Sequence, residues 1–271
     1  MPNTDTLKRQ DFLDAIREFR LIDDTFFNSC FEGQPECMEL LLRIVLRKPK
    51  LRVAEMYTQK EVPNIYGRSV RFDVFAKDAD GTEYNVEVQR SDDGADPKRA
   101  RFNASLMDTK SVEKGTKWKD FPPTIIIFIT EHDTIGGEKP IYHVKRTIEE
   151  LGHKRFEDES EIIYVNGEVH DESSLGYLMH DFFCTNPADM HYHLLAERMK
   201  YFKTNEHGVS EMCKIMESIE KRGYSKGADE KAASIIRNLL KTNMSHAEIA
   251  KNTETSIEEV ERIASESQKA C

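Results

Sequence analysis

Apolar and polar positions alternate strictly in two short stretches in the first third of the chain. Val70, Phe72 and Val74 interleave with Ser69, Arg71 and Asp73, and Tyr84, Val86 and Val88 interleave with Glu83, Asn85, Glu87 and Gln89. This period of two predicts a pair of half-buried strands. Ala79-Asp80-Gly81 between them fits a three-residue hairpin loop, whose last residue takes a left-handed backbone that suits glycine. Phe121 to Thr130 is a β-branched run without alternation, which predicts a central strand covered on both faces. Ile141 to Lys145 and Glu161 to Val165 read as later strands.

Helical spacing accounts for most of the rest. Leu7, Phe12, Ile16 and Phe19 mark a first helix, Leu21 to Phe31 a second segment, and Met38 to Leu46 a strongly apolar helix ending near Pro49. Asp96 as N-cap and Pro97 at the first position open another, expected to run to about Gly115. From about residue 175 the pattern is helical, with segments at 189–202 and 209–219. Arg222 to Ala228 reads as a linker. Ala232 to Leu240 then forms one helix, and Ser245-His-Ala-Glu248 and Ser256-Ile-Glu-Glu259 each open another with a capping box. Ile249, Ile257, Val260 and Ile263 are expected to share a small core. The expected organisation is an α/β domain over 1–222 and a helical module over 228–271.

At 271 residues with 38% hydrophobic and 32% charged positions, the composition is that of an ordinary globular protein. No apolar run reaches the roughly twenty residues of a membrane helix, and the first ten residues carry no secretory signal, so a cytoplasmic location is expected. Five cysteines without a C-x-x-C pair speak against a zinc knuckle or a disulfide framework. The net charge of −10 opposes coating of nucleic acid by electrostatics alone. Two local segments run the other way. Arg43, Arg47, Lys48, Lys50 and Arg52 form one, and Lys98, Arg99, Arg101, Lys110, Lys114, Lys117 and Lys119, against only Asp108 and Glu113, form the second. They flank the hairpin in sequence, as a phosphate-gripping rim would.

The hairpin register carries the candidate chemistry. Pairing Asp78 with Thr82 and counting outward sets Asp73 opposite Glu87, with Gln89 one diagonal step away on the same face. Opposite Cβ atoms lie roughly 4.5–5.5 Å apart. Two negative charges at about 5 Å repel by about 3 kcal/mol at an effective dielectric near 20. A hard divalent cation such as Mg²⁺ would offset that, since it takes carboxylate oxygens and completes its shell with water. The alternative is a solvated acidic face with no ligand.

Asp73 followed by Glu87-Val-Gln89 resembles the core of the PD-(D/E)XK nuclease superfamily, in which an Asp on one strand and a Glu-x-Lys on the next bind the metal. Ser69-Val-Arg-Phe-Asp-Val, the Asn85 to Gln89 strand and Pro123-Thr-Ile-Ile-Ile-Phe-Ile-Thr130 more narrowly resemble the Rpn-type recombination-promoting nucleases, also called PD-(D/E)XK family transposases, over roughly residues 20–205. The resemblance implies a restriction-endonuclease-like α/β core, a mixed sheet flanked by helices, and a Mg²⁺-dependent DNA endonuclease, with Mn²⁺ as a substitute. It implies Asp73 and Glu87 as metal ligands and an assisting acid from a preceding helix, where Asp24 aligns best and Glu39 is a rival. Gln89 stands where the superfamily has Lys and is expected to position the attacking water. Lys98, Arg99 and Arg101 resemble the basic helix that approaches the scissile phosphate, with Arg99 favoured to supply the charge that Gln89 lacks. Recombination or mobile-element function follows from the same resemblance.

His132 and Asp133, just past the central strand, suit turn or capping roles. His191 and His193 diverge on a helix and do not read as a metal pair. The C-terminal module resembles a helix-turn-helix, but Glu258, Glu259 and Glu261 beside a single Arg262 favour packing or dimerisation over DNA reading. A homodimer stays open. The alternative function, motivated by Gln89 and these acidic helices, is an interaction module for nucleic acid or protein on a catalytically silent nuclease fold.

Overall fold

A computed structural model describes residues 4–62, 70–112, 114–242 and 244–269; Ser69, Glu113 and Cys271 lie outside the described residues. Helices α1 (Thr4–Glu18), α2 (Asp24–Phe31) and α3 (Pro35–Leu46) precede strands β1 (Val53–Val62), β2 (Val70–Asp78) and β3 (Glu83–Gln89). Helix α4 (Pro97–Ser111) leads to β4 (Thr124–Thr130) and β5 (Ile141–Val144). A small ribbon of β6 (Thr147–Ile148) and β7 (Lys154–Arg155) follows, then β8 (Ser160–Asn166). Helices α5 (Ser174–Phe183), α6 (His193–Thr204), α7 (Glu206–Leu239), α8 (His246–Thr253) and α9 (Ile257–Lys269) complete the chain.

Six strands form one mixed sheet in the order β1-β2-β3-β4-β8-β5. The first three are antiparallel, β3, β4 and β8 run parallel, and β5 returns antiparallel at the far edge. Every residue of β4 is buried, as an unalternating Ile-rich run requires of a strand covered on both faces. On one face Ile126, Phe128 and Tyr164 pack with Phe72 and Phe75 against Ala100, Ala104 and Met107 of α4. On the opposite side the aromatic rings of α2 and α5 interlock, Phe27 lying 4.4 Å from Phe31 and 6.0 Å from Phe182 between ring centroids. The α/β architecture expected from the sequence is the one observed.

The hairpin loop also forms as expected. Gly81 has φ +90°, and the Asp78 N–H donates to the Thr82 carbonyl at 3.0 Å. Strand β1 was not expected. It is an edge strand, only partly buried, and lacks the apolar alternation that marks β2 and β3. Helix α4 ends at Ser111 rather than Gly115, while its Asp96 cap accepts the Lys98 N–H at 2.7 Å.

The chain divides into two compact units, Met1–Met212 and Cys213–Cys271. Residues 222–228, expected as a linker, are instead helical within α7. Gly223 and Gly227 sit on exposed positions there, where glycine costs about 1 kcal/mol each and does not break a helix. In the second unit Ile236, Ile249, Val260 and Ile263 form the core. Ile257 does not join them; it opens α9 and is 45% exposed. The Ser245–Glu248 capping box is complete. The second box is partial, because the Ser256 hydroxyl accepts the Glu259 N–H while the Glu259 carboxylate turns to Arg262.

Candidate active site

Strands β2 and β3 pair from Lys77–Glu83 to Val74–Val86, and the ladder stops there. The next pair by register would be Asp73 with Glu87, but the Asp73 carboxylate takes over the ladder's work: its Oδ2 accepts the Val88 N–H at 3.1 Å. In return the Asp73 N–H donates to the Glu87 carboxylate. The two acids are therefore tied crosswise, each to the other's strand, where an ordinary ladder would join backbone to backbone. The expectation of a simple opposed pair is corrected in this detail, and the proximity remains.

Both acids are buried, Glu87 completely. Burial, followed by the neighbouring charges of Glu87 and Asp24, pushes the Asp73 carboxyl up to about 8, against a smaller lowering by the Val88 N–H and Arg99. Glu87 is also raised, by burial first and more weakly by Asp24; Arg99, the Asn85 amide and the Asp73 N–H oppose that rise. Asn85 Nδ2 donates to Glu87 Oε1 at 3.0 Å.

Arg99, in the first turn of α4, reaches across to this end of the hairpin. Its Nη2 donates to Glu87 Oε2 at 2.7 Å, and its Nη1 donates to Gln89 Oε1 at 3.2 Å and to the Gly94 carbonyl at 2.7 Å. Arg101 lies roughly 200° around the helix from Arg99, and both it and Lys98 are exposed. Gly94 lies so close that a Cβ there would meet Gln89 Oε1 at 1.9 Å.

A cleft of about 730 Å³ opens onto this end of the sheet, lined by Asp24, Asp73, Gln89, Arg90, Ser91 and Arg99, with Ile22, Glu61, Val70, Arg71 and Val88 around them. Asp24 enters from the first turn of α2. Its rival Glu39 is engaged elsewhere: it bonds Arg43, Arg52 at 2.9 Å and the Val53 N–H at 3.0 Å, fastening α3 to the start of β1. Arg90 was not singled out from the sequence. It bridges Asp23 at 2.9 Å and Glu131 at 3.0 Å, and Arg20 adds a second bond to Glu131 at 3.2 Å, so the rim of the cleft is braced by an ion-pair network. Arg71 lines the cleft too, and its only signal in the sequence is its polar place in the β2 alternation.

The first basic segment does not reach this cleft. Arg47, Lys48, Lys50 and Arg52 line a separate hollow with Asp78 and Asp80, at the loop end of the hairpin. Lys110 and Lys119 line further hollows. Asp133 is a turn residue, accepting N–H groups of Ile135, Gly136 and Glu138 and the Tyr142 hydroxyl, and His132 pairs with Glu168 at 3.1 Å.

The donor set suits a hard divalent ion. Asp24 and Asp73 bring carboxylates to the cleft and Gln89 an amide oxygen that Arg99 also holds, while Glu87 is fully buried against Arg99 outside the lining, and the three carboxylates are not gathered within 4.8 Å of one another. Fully ionised, the three acids and Arg99 leave two negative charges unbalanced. Burial is the main cause that raises both acids, the charge of Asp24 adds to it, and a divalent cation bound by oxygen would offset both.

Comparison with known families agrees with this geometry. The family model for PD-(D/E)XK nuclease family transposases matches residues 30–174, more than half of the chain. No significant match is found among curated proteins or among solved structures. The mixed sheet, the crosswise acids of its central hairpin and the matched segment together place the chain in the family of PD-(D/E)XK nuclease family transposases.

Proposed function

We propose that this protein is a Mg²⁺-dependent DNA endonuclease of the Rpn type, working in recombination or in the upkeep of mobile elements. The observation that carries the reading is the pair of buried acids, Asp73 and Glu87, both raised: Asp73 lines the cleft with Asp24, Gln89 and Arg99, and Glu87 is joined to it through Arg99. Asp73, Glu87 and Asp24 would hold Mg²⁺, or Mn²⁺ in its place. The bound ion supplies Lewis-acid chemistry, acidifying water and balancing charge on a phosphate.

The protein's own groups do the rest. Gln89 holds the attacking water by hydrogen bonding, since an amide can orient it without charge. Arg99 brings the fixed positive charge that a lysine supplies elsewhere in the superfamily, and its planar fork matches phosphate oxygens. Lys98 and Arg101 on the exposed face of α4, with Arg71 at the cleft, grip the flanking phosphates. Recognition is through the backbone of the duplex, because among the described residues the cleft presents charge and hydrogen-bond donors and no aromatic platform for bases.

The test is nicking of supercoiled plasmid with Mg²⁺ by the wild-type protein, Asp73→Ala and Glu87→Ala. Nicking by the wild type alone supports the reading. Equal nicking by all three sinks it. Absence of both nicking and calorimetric Mg²⁺ or Mn²⁺ uptake in the wild type, with DNA still bound, would favour the non-catalytic interaction module.

A further inference from the structure

Away from the cleft, the corner between α5 and α6 gathers His180, Asp181 and His191, one ring nitrogen or carboxylate oxygen of each lying within 4.8 Å of the others. Asp181 is wholly buried and both imidazoles are 39% exposed. The carboxylate is held in place by the backbone: Oδ1 accepts the His191 N–H and Oδ2 the Tyr192 N–H, each at 2.8 Å. The Nδ1 atoms of His180 and His191 both lie 3.3 Å from the same Oδ1.

Hydrogen bonding alone accounts poorly for this arrangement. A carboxylate oxygen offers two lone-pair sites, and the His191 N–H already takes one of Oδ1's. Two imidazole N–H groups would then compete for the other. Their 3.3 Å separations also exceed the roughly 2.7–2.9 Å of charge-assisted bonds. Both N···O separations match the edge of a tetrahedron whose centre stands about 2.0–2.1 Å from its corners, the span of zinc bonds to nitrogen and oxygen, and all three donors lie within 4.8 Å of one another.

We propose that His180, Asp181 and His191 bind a borderline transition-metal ion of the Zn²⁺ type, with water in the fourth position. Two imidazoles and one carboxylate suit zinc and its neighbours and are a poor set for Mg²⁺, so this site is chemically distinct from the acidic cleft. The surroundings orient the ligands as metal sites require. The Tyr177 ring stacks on His191 at 4.3 Å and 15°, and the backbone bonds aim the carboxylate. His193 stays outside, 89% exposed and directed at Glu197. The ion would be structural, joining the last turn of α5 to the chain entering α6. The Phe182 carbonyl of that turn accepts the Ile22 N–H at 3.1 Å, so the corner also steadies the approach to α2 and Asp24.

The test uses the full chain stripped with a chelator and then dialysed against Zn²⁺, with Co²⁺ as a visible-absorption probe. One equivalent of Zn²⁺, a tetrahedral Co²⁺ spectrum and a Tm raised by Zn²⁺ are expected in the wild type and equally in Asp73→Ala. His191→Ala and, separately, His180→Asn should each weaken Zn²⁺ binding by on the order of a hundredfold and abolish the Co²⁺ bands. Should His191→Ala fail to fold, His180→Asn carries the test. No stoichiometric Zn²⁺ in the wild type, or a Co²⁺ spectrum unchanged in a folded His180→Asn protein, would overturn the proposal and leave a His–Asp–His cluster held by hydrogen bonds only.

Discussion

Arg99 Nη2 stands 2.7 Å from Glu87 Oε2, joining a guanidinium that is 35% exposed to a carboxylate that is fully buried. Arg99 lines the cleft and holds there a positive charge of the kind a divalent ion would bring. On the proposed metal binding, cation and arginine would compete for one oxygen of Glu87, and that competition can be read directly. Arg99→Ala leaves Glu87 without its main counter-charge. Losing one partner of a buried pair costs about 3–5 kcal/mol; water reaching the exposed arginine lowers that to about 2 kcal/mol here. Urea unfolding measures it. Calorimetry should show Mg²⁺ bound severalfold more tightly by Arg99→Ala, while plasmid nicking falls by roughly 10²-fold because the phosphate has lost its fixed cation. Unchanged Mg²⁺ affinity would show that the guanidinium and the ion do not share Glu87.

The raised carboxyls set a pH dependence with a definite sign. Asp73 titrates at about 8 in the fold and near the ordinary aspartate value of 3.8 when unfolded. Between those values the folded chain binds more protons than the unfolded one, so stability falls as pH rises. The contribution is fully present below about 4 and is lost by about 8. Asp73→Asn, which cannot ionise, should flatten that slope when Tm is followed from pH 4.5 to 8 without divalent ions. Mg²⁺ held by Asp73 as proposed would act in the opposite sense, because it would have to displace the Asp73 proton. Its affinity should rise by on the order of tenfold per pH unit up to about 8. A wild-type slope that survives in Asp73→Asn would assign the dependence to other groups.

Asp24, which the resemblance favours, and its rival Glu39 make opposite predictions. Glu39 is buried and neutralises Arg43 and Arg52 while accepting the Val53 N–H. Glu39→Ala orphans that N–H and a partly buried arginine, so about 2 kcal/mol of stability is lost, with Mg²⁺ affinity unchanged. Asp24 is exposed at the first turn of α2, bonded to Asn28. Asp24→Ala should cost less than about 1 kcal/mol and weaken Mg²⁺ binding, because one acid leaves the cleft. Melting and calorimetry on the two variants decide between them, and the reverse pattern would exchange their roles.

What could be read in advance follows the range of the interactions involved. The hairpin was legible because alternation and a left-handed glycine are local, and so was β4, whose Ile-rich run states its own burial. The crossing of Asp73 and Val88 was not, since it depends on one side chain replacing a backbone acceptor. Strand β1 escaped because an edge strand with little burial carries little pattern. The unbroken α7 escaped because two exposed glycines look like a linker, and their cost is small in a long helix. His191 was set aside because two histidines two apart diverge on a helix; in the fold it lies ahead of α6, and the groups gathered with it, Asp181 and His180, are ten and eleven residues earlier, on α5.

Gly94 is the residue whose purpose only the fold reveals. It precedes α4 in a short turn, and its hydrogen faces the Gln89 amide so closely that an alanine Cβ would stand 1.9 Å from Oε1 and 2.8 Å from Cδ. Its carbonyl meanwhile accepts Arg99 Nη1 at 2.7 Å, so the glycine sits between the two groups proposed to handle water and phosphate. Gly94→Ala can be accommodated, because the clash is with the far end of a flexible side chain. Stability should fall by only about 1 kcal/mol, and the Gln89 amide should be evicted from its place. Plasmid nicking by Gly94→Ala should therefore drop as far as in Gln89→Ala, within about threefold. The double variant should be no worse than either single one, since both remove the same group. Additive losses in the double variant would mean that Gly94 acts through Arg99 or the turn, and not through Gln89.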